Sequence, residues 1–284
     1  MHQIVYLERD SIIAEVRRPD FPHRWVEYPK SLQRQVAERL AGATIAIVNK
    51  LQIDAELIAA LPSLQMVAVA ATGTNNVDLE ACRAHGIVVS NIRGYAAHTV
   101  PEHVCALLLA LSRNLPAYRE AVAAGSWQRS EQFCCFGPSI RDLHGATLAL
   151  IGSGSLGGSV ARLAEAFGMC VLRSERKQAA SVRPGYTPFA RVLREADAIS
   201  LHCPLTEETK NLIGESELRA MKPTALLINT ARGGLVDEAA LATALRQRWI
   251  AGAAFDVLTV EPPGADNPLL APDVLALPNF LLTP

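Results

Sequence analysis

The sequence predicts an α/β protein of two Rossmann-like, parallel-sheet domains, the first flavodoxin-like and the second doubly wound. Short β-branched runs alternate with helical patterns along most of the chain, which is the signature of a parallel sheet covered by helices. A long helical pattern near residue 100 interrupts that alternation once. After it, a glycine-rich turn sits directly between an apolar strand and a helix, as in a dinucleotide-binding unit.

Taken in order, strands are expected at Ile4 to Leu7, Thr44 to Val48, Met66 to Ala70 and Ile87 to Val89, with helices at Ser31 to Leu40, Asp54 to Leu61 and Val77 to His85. Asn76 and Asp78 read as turn and helix-cap residues. From Thr99 to about Ala124 the apolar positions 104, 107, 108 and 111 keep a helical period, so one helix is expected to join the domains. A loop at 126–140 follows. Alternation then resumes with strands at Thr147 to Ile151, Cys170 to Leu172, Ala198 to His202, Ala225 to Asn229, Ala251 to Val257 and Phe280 to Leu282. Helices are expected between them at Ser155 to Phe167, Phe189 to Glu195, Ser216 to Met221 and Asp237 to Trp249.

Composition narrows the function classes. The chain has 284 residues, 50% hydrophobic and 19% charged, which is enough to bury two cores and excludes collagen-like or disordered sequence. With 27 basic and 28 acidic residues there is no net field to draw nucleic acid or an anionic membrane, and neither is expected as a partner. The longest apolar stretch, Val104 to Leu111, is too short to cross a bilayer. The start MHQIVYLERD lacks the basic-then-apolar order of a secretory signal, so a cytoplasmic location is expected. The six cysteines show neither C-x-x-C pairs nor zinc spacing, and they read as reduced thiols with no metal site.

The chemistry starts at Gly152-Ser-Gly154-Ser155-Leu156-Gly157, placed after TLALI and before SVARLAEAFG. Gly152 permits the tight turn, Gly154 lets backbone approach a pyrophosphate, and Gly157 lets the helix pack closely on the strand. The amino end of the helix then faces the phosphates with unpaired N–H groups. Glu175, at the end of the next strand, is placed to accept hydrogen bonds from ribose hydroxyls, which favours NAD. Arg173, Arg176 and Lys177 flank it, and a guanidinium there could instead clasp a ribose phosphate, so NADP remains open.

These residues lie within longer stretches that resemble one family. AVAATGTNNVDLEACRAHGIVVSNIRGY, HTVPEHVCALLLALSRNL, IGSGSLGGSVARLAEAFGM, SLHCPLTEETKNLIG, MKPTALLINTARGGLVDEAAL and AAFDVLTVEPP resemble the D-isomer-specific 2-hydroxyacid dehydrogenases, nearest to their glycerate dehydrogenase (hydroxypyruvate reductase) branch. The resemblance implies a substrate-binding domain at residues 1–98, an NAD(P)-binding domain at 99–284, catalysis in a cleft between them, and a homodimer formed through the nucleotide domains. It also implies a catalytic arginine at Arg232, in Asn229-Thr-Ala-Arg-Gly-Gly, and a supporting glutamate at Glu261. Arg232 makes sense from the residues as well. It follows the strand ALLIN and precedes two glycines, so a planar fork stands at a carboxyl-end loop, where it can hold a 2-oxo acid bidentately and stabilise a developing alkoxide.

Further positions are implied by the same resemblance. Thr72, Gly73 and Thr74 match a backbone cradle for the substrate carboxylate, although an ordinary strand-end turn would look the same. His202, Cys203 and Pro204 match the cofactor side, and Thr230, Ala231 and Asp256 the nicotinamide end; read alone, all six are plain strand-end positions. Glu261 would hold a proton-donating histidine that the family places in a T-P-H motif. Here the sequence stops at Thr283-Pro284, so that histidine, and the segment that closes the substrate domain, are expected beyond Pro284.

The function expected is reduction of a small 2-oxo acid, hydroxypyruvate or glyoxylate, to the D-2-hydroxy acid with NADH or NADPH. The alternative is a non-catalytic NAD(H)-binding regulator of the same fold, if the natural chain truly ends before the histidine. A phosphoglycerate dehydrogenase is a third reading, weakened by the lack of an appended regulatory domain. The substrate's side chain, the choice between NAD and NADP and the metabolic direction are not legible.

Overall fold

The computed structural model describes residues 1–283, and the chain divides between Tyr95 and Ala96 into two units. In the first, β1 (His2–Tyr6), β2 (His23–Glu27), α1 (Val36–Arg39), β3 (Ile45–Val48), α2 (Ala55–Ala59), β4 (Met66–Val69), α3 (Leu79–Ala84) and β5 (Val88–Asn91) follow one another. The strands pair in parallel in the order β2-β1-β3-β4-β5, which is the flavodoxin arrangement. Val5, Ala46, Val48, Val67 and Val69 pack with Val36, Ile53 and Ile58 in one core. Asp54 caps α2 by accepting the Leu57 N–H at 2.9 Å, and Asp78 caps α3 through the Ala81 N–H at 2.9 Å.

Two features of this unit differ from expectation. β2, with the sequence HRWVE, is a half-exposed edge strand carrying His, Arg and Glu, so it offers no apolar run to detect. The helix expected over 31–40 is a 3₁₀ turn, Gln33–Gln35, followed by the single turn α1.

The second unit opens with α4 (Ala96–Ser112) and α5 (Leu115–Ala123), then runs through β6 (Thr147–Ile151), α6 (Ser155–Ala166), β7 (Cys170–Arg173), α7 (Phe189–Glu195), β8 (Ala198–Leu201), α8 (Glu215–Ala220), β9 (Leu226–Asn229), α9 (Glu238–Arg246), β10 (Gly252–Phe255), α10 (Pro272–Leu275) and β11 (Phe280–Leu282). All six strands are parallel, ordered β11-β10-β9-β8-β6-β7. An isolated parallel bridge, Ser174 to Thr187, adds a vestige of a strand outside β7 and completes the doubly wound order, with its reversal between β6 and β8.

Every residue of β8, β9 and β10 is buried, as expected of strands covered on both faces. β6 shows the two faces directly. Leu148 and Leu150 pack with Val104, Leu108 and Val160 of α4 and α6, while Ala149 and Ile151 pack with Val192, Leu218 and Leu241 of α7, α8 and α9.

The helix expected over 99–124 is two helices. Asn114 adopts φ 51° between α4 and α5. Pro116 explains the break: it has no N–H for the Ser112 carbonyl one turn back, and its ring would clash there.

Candidate functional site

At the carboxyl end of β6 the chain turns sharply into α6, and three glycines differ in what confines them. Gly152 has φ +99°, and a Cβ there would stand 2.5 Å from the carbonyl of His202. A Cβ on Gly157 would stand 2.3 Å from the Gly152 carbonyl oxygen. Gly154, the residue before α6, has open space where its Cβ would be. The turn is therefore closed toward β8 and open on the other side, at the reversal in strand order where α/β sheets bind ligands. Ser155 and Leu156 form the first turn of α6.

The open side is a cavity of about 940 Å³, lined by Gly152, Gly154, Glu175, Arg183, His202 and Cys203 among others, with Pro204 at its rim. His202 is held by its backbone N–H to Ile151 O at 2.7 Å and by its Nε2 to Ser200 Oγ at 2.9 Å. Burial pushes its pKa down to about 4, so the imidazole is neutral near pH 7. Burial likewise raises the Cys203 thiol, leaving it a poor nucleophile.

Glu175, expected to accept the ribose hydroxyls, lies just beyond β7, is 4% exposed and already accepts hydrogen bonds from the protein. Oε1 accepts the Arg176 N–H at 2.9 Å and Arg183 Nη2 at 2.8 Å; Oε2 accepts the Arg183 N–H at 3.0 Å and Arg183 Nε at 2.8 Å. A carboxylate has about four lone-pair sites, and all four are used here. The Arg183 fork and the two backbone N–H groups hold its pKa at about 2. Lys177 is turned away to Glu217 at 3.0 Å.

At the neighbouring strand ends, Asn229 organises the turn that carries Arg232. Its Oδ1 accepts the Ala231 N–H at 3.1 Å and its Nδ2 donates to Arg232 O at 2.9 Å. The exposed Arg232 guanidinium donates to Ala231 O at 2.6 Å. A Cβ on Gly233 would stand 1.9 Å from Leu258 O, so this turn is pressed against the segment bearing Glu261, whose Oε1 accepts the Leu258 N–H at 3.1 Å. Among the described residues Thr230 Oγ1 and Asp256 Oδ1 are buried without a hydrogen-bond partner, and burial raises the Asp256 carboxyl, with the charge of nearby His103 opposing. Thr230, Ala231, Arg232 and Asp256 lie outside the cavity of the glycine turn, at the ends of β9 and β10.

In the first unit, Thr72 Oγ donates to Ile92 O at 2.9 Å and Thr72 O accepts from Asn91 Nδ2 at 2.7 Å. Thr74 O accepts the Val77 N–H at 3.0 Å, which closes the turn over 74–77 that follows Gly73. Asn76 donates to Leu51 O at 2.9 Å and, with Asp78 capping α3, is structural as expected. Pro284, after which the proton-donating histidine was expected, lies outside the described residues.

Comparison with known proteins then decides the family. The family model of the NAD-binding domain of D-isomer specific 2-hydroxyacid dehydrogenases matches residues 105–284. The chain belongs to this family. A glycerate dehydrogenase of Methylorubrum extorquens is 48% identical over 283 residues, covering 99% of this chain and 88% of that protein. A glyoxylate reductase of Korarchaeum cryptofilum is 38% identical, covering 92% and 78%. Among solved structures, an NADPH-dependent glyoxylate/hydroxypyruvate reductase of Sinorhizobium meliloti, in complex with NADP and malonate, matches with TM-score 0.81 and 29% identity, covering 100% of this chain and 86% of that one.

For a 2-hydroxyacid dehydrogenase the cofactor is a nicotinamide dinucleotide, and the second unit fits one on two observations. The glycine turn is sealed by backbone on one side and open on the other, and Thr230 Oγ1 and Asp256 Oδ1 are buried with no hydrogen-bond partner among the described residues. Sequence reasoning missed the residues that hold this family's site in shape. Asn229 was legible as an Asx residue at a strand end. Glu238, whose Oε1 accepts the Thr259 N–H at 2.6 Å and whose Oε2 accepts from Asn267 Nδ2 at 2.8 Å, was not; nor was Arg183, eight residues beyond Glu175 in an irregular loop.

Proposed function

We propose that this dehydrogenase reduces hydroxypyruvate or glyoxylate to the D-2-hydroxy acid with NADH or NADPH, as a cytoplasmic homodimer. The observation that carries the reading is the Arg232 turn, its backbone fixed by Asn229 and Gly233 and its exposed guanidinium held to Ala231 O, at the carboxyl end of the sheet that also carries the glycine turn. When bound, the nicotinamide cofactor supplies the hydride. Reduction adds that hydride to C2 of the oxo acid and a proton to its oxygen. Arg232 presents N–H donors to the oxygen on which negative charge develops, and lysine would not reproduce the fork. The backbone of Thr72, Gly73 and Thr74 is assigned to the substrate carboxylate. Glu261 is assigned to orient the family's proton-donating histidine, and Asp256 and Thr230 to the carboxamide of the nicotinamide. The relatives named glycerate dehydrogenase and glyoxylate reductase support the substrate class.

The test is a steady-state assay of the full-length polypeptide with each reduced nicotinamide over a panel of 2-oxo acids. Turnover highest with hydroxypyruvate or glyoxylate is expected, and Arg232→Ala should lower kcat/KM by about a hundredfold or more. Wild-type turnover in that variant would remove Arg232 from the chemistry.

A further inference from the structure

Around Glu175 the geometry points to a function for Arg183 that rests on the dinucleotide reading above. Glu175 holds one edge of the guanidinium through Nε and Nη2, and Tyr186 lies under its face with the guanidinium carbon 3.8 Å from the ring centroid. Tyr186 is itself tied to the glycine turn, its hydroxyl 2.6 Å from Ser153 Oγ. The fork is therefore fixed on two sides and referenced to the phosphate-binding loop. Its outer edge keeps three N–H bonds, and no described residue takes them. The side chain is 52% exposed and lines the cavity.

Two consequences follow from charge. A lone carboxylate at this position accepts ribose hydroxyls and repels a phosphate, but Glu175 is neutralised by Arg183 and has no acceptor site left. What the cavity meets there is the cationic edge of Arg183, with the exposed Arg176 beside it. A guanidinium of fixed orientation suits a phosphate dianion.

We propose that Arg183 is the specificity-determining residue that admits a 2′-phosphorylated dinucleotide, with Glu175 as its positioning residue rather than the ribose ligand. Substituting Arg183 by leucine would release the carboxylate, which would then accept the ribose hydroxyls and repel the phosphate, reversing the preference.

The experiment is calorimetric titration of the full chain with ADP-ribose and with 2′-phospho-ADP-ribose, neither of which can react. The wild-type protein should bind the phosphorylated compound at least as tightly as the plain one. Arg183→Leu should weaken the phosphorylated compound by about tenfold or more, the size of one lost charge-assisted hydrogen bond, and ADP-ribose by less than about threefold. Because that variant leaves a buried carboxylate unpaired, the double variant Glu175→Gln with Arg183→Leu provides a second arm and should also lose its hold on the 2′-phosphate. Wild-type protein binding 2′-phospho-ADP-ribose more than about tenfold more weakly than ADP-ribose would overturn the proposal, as would equal losses for both ligands in the two variants. Binding of ADP-ribose in those cases would leave the dinucleotide reading standing; binding of neither compound to the wild-type protein would remove both.

Discussion

Single residues set the hardest limits on this site. Gly152→Ala puts a Cβ 2.5 Å from the His202 carbonyl at a φ that L-residues avoid, so it should cost about 1–3 kcal/mol in denaturant unfolding and weaken dinucleotide binding. Wild-type stability in that variant would contradict the close contact. His202 makes a pH prediction. Its ordinary pKa of 6.5 is lowered to about 4 in the fold. Between those values the unfolded chain takes up a proton that the folded chain refuses, so stability falls as pH drops from 6.5 toward 4. His202→Asn should flatten that slope in the unfolding midpoint. Glu175 acts lower: its stabilisation is complete above 4.5 and is lost as pH falls toward about 2. The glycines were legible because their motif has a backbone reason. The state of Glu175 was not, because its partner Arg183 comes from a loop without periodicity.

Elements that were read correctly are those with strong periodicity or a capping residue. β6, α6 and β8 to β10 follow from apolar runs and a glycine turn, and α2 and α3 from Asp54 and Asp78. Those misread lacked such signals or carried a competing one. β2 is polar at the sheet edge, and Pro116 overrides the helical pattern that spans α4 and α5. The segment with Glu261 has no regular structure, so side chains must hold it. Glu238 does so from the first turn of α9 by accepting from Thr259 and Asn267. Glu238→Ala should therefore speed amide hydrogen exchange at Leu258 and Thr259 while leaving β9 and β10 protected. Unchanged exchange there would show that Gly233 packing alone fixes the segment.

For the whole molecule, the sequence alone pointed to the family because its motifs are spread from residue 68 to residue 263 rather than gathered in one turn. Among the described residues no helix is long and apolar enough to cross a membrane, and no group of His, Cys, Asp and Glu is placed to hold a metal ion. Phe133 and Phe136 are 91% and 87% exposed on the 126–140 segment, with the half-exposed Trp127 hydrogen-bonded to Phe133 O, and the proposed homodimer would cover these rings. The wild-type chain should sediment as a dimer, and the pair Phe133→Asp and Phe136→Asp should shift it toward monomer; a dimer that persists would place the interface elsewhere. The central claim is that this chain moves a hydride onto a small 2-oxo acid, and the most direct measurement is the absorbance of reduced nicotinamide mixed with full-length protein and hydroxypyruvate. The account predicts a decay that requires both protein and oxo acid and is nearly abolished by Arg232→Ala. Constant absorbance with hydroxypyruvate, glyoxylate and every other 2-oxo acid tried, in protein that binds the dinucleotide, would contradict it.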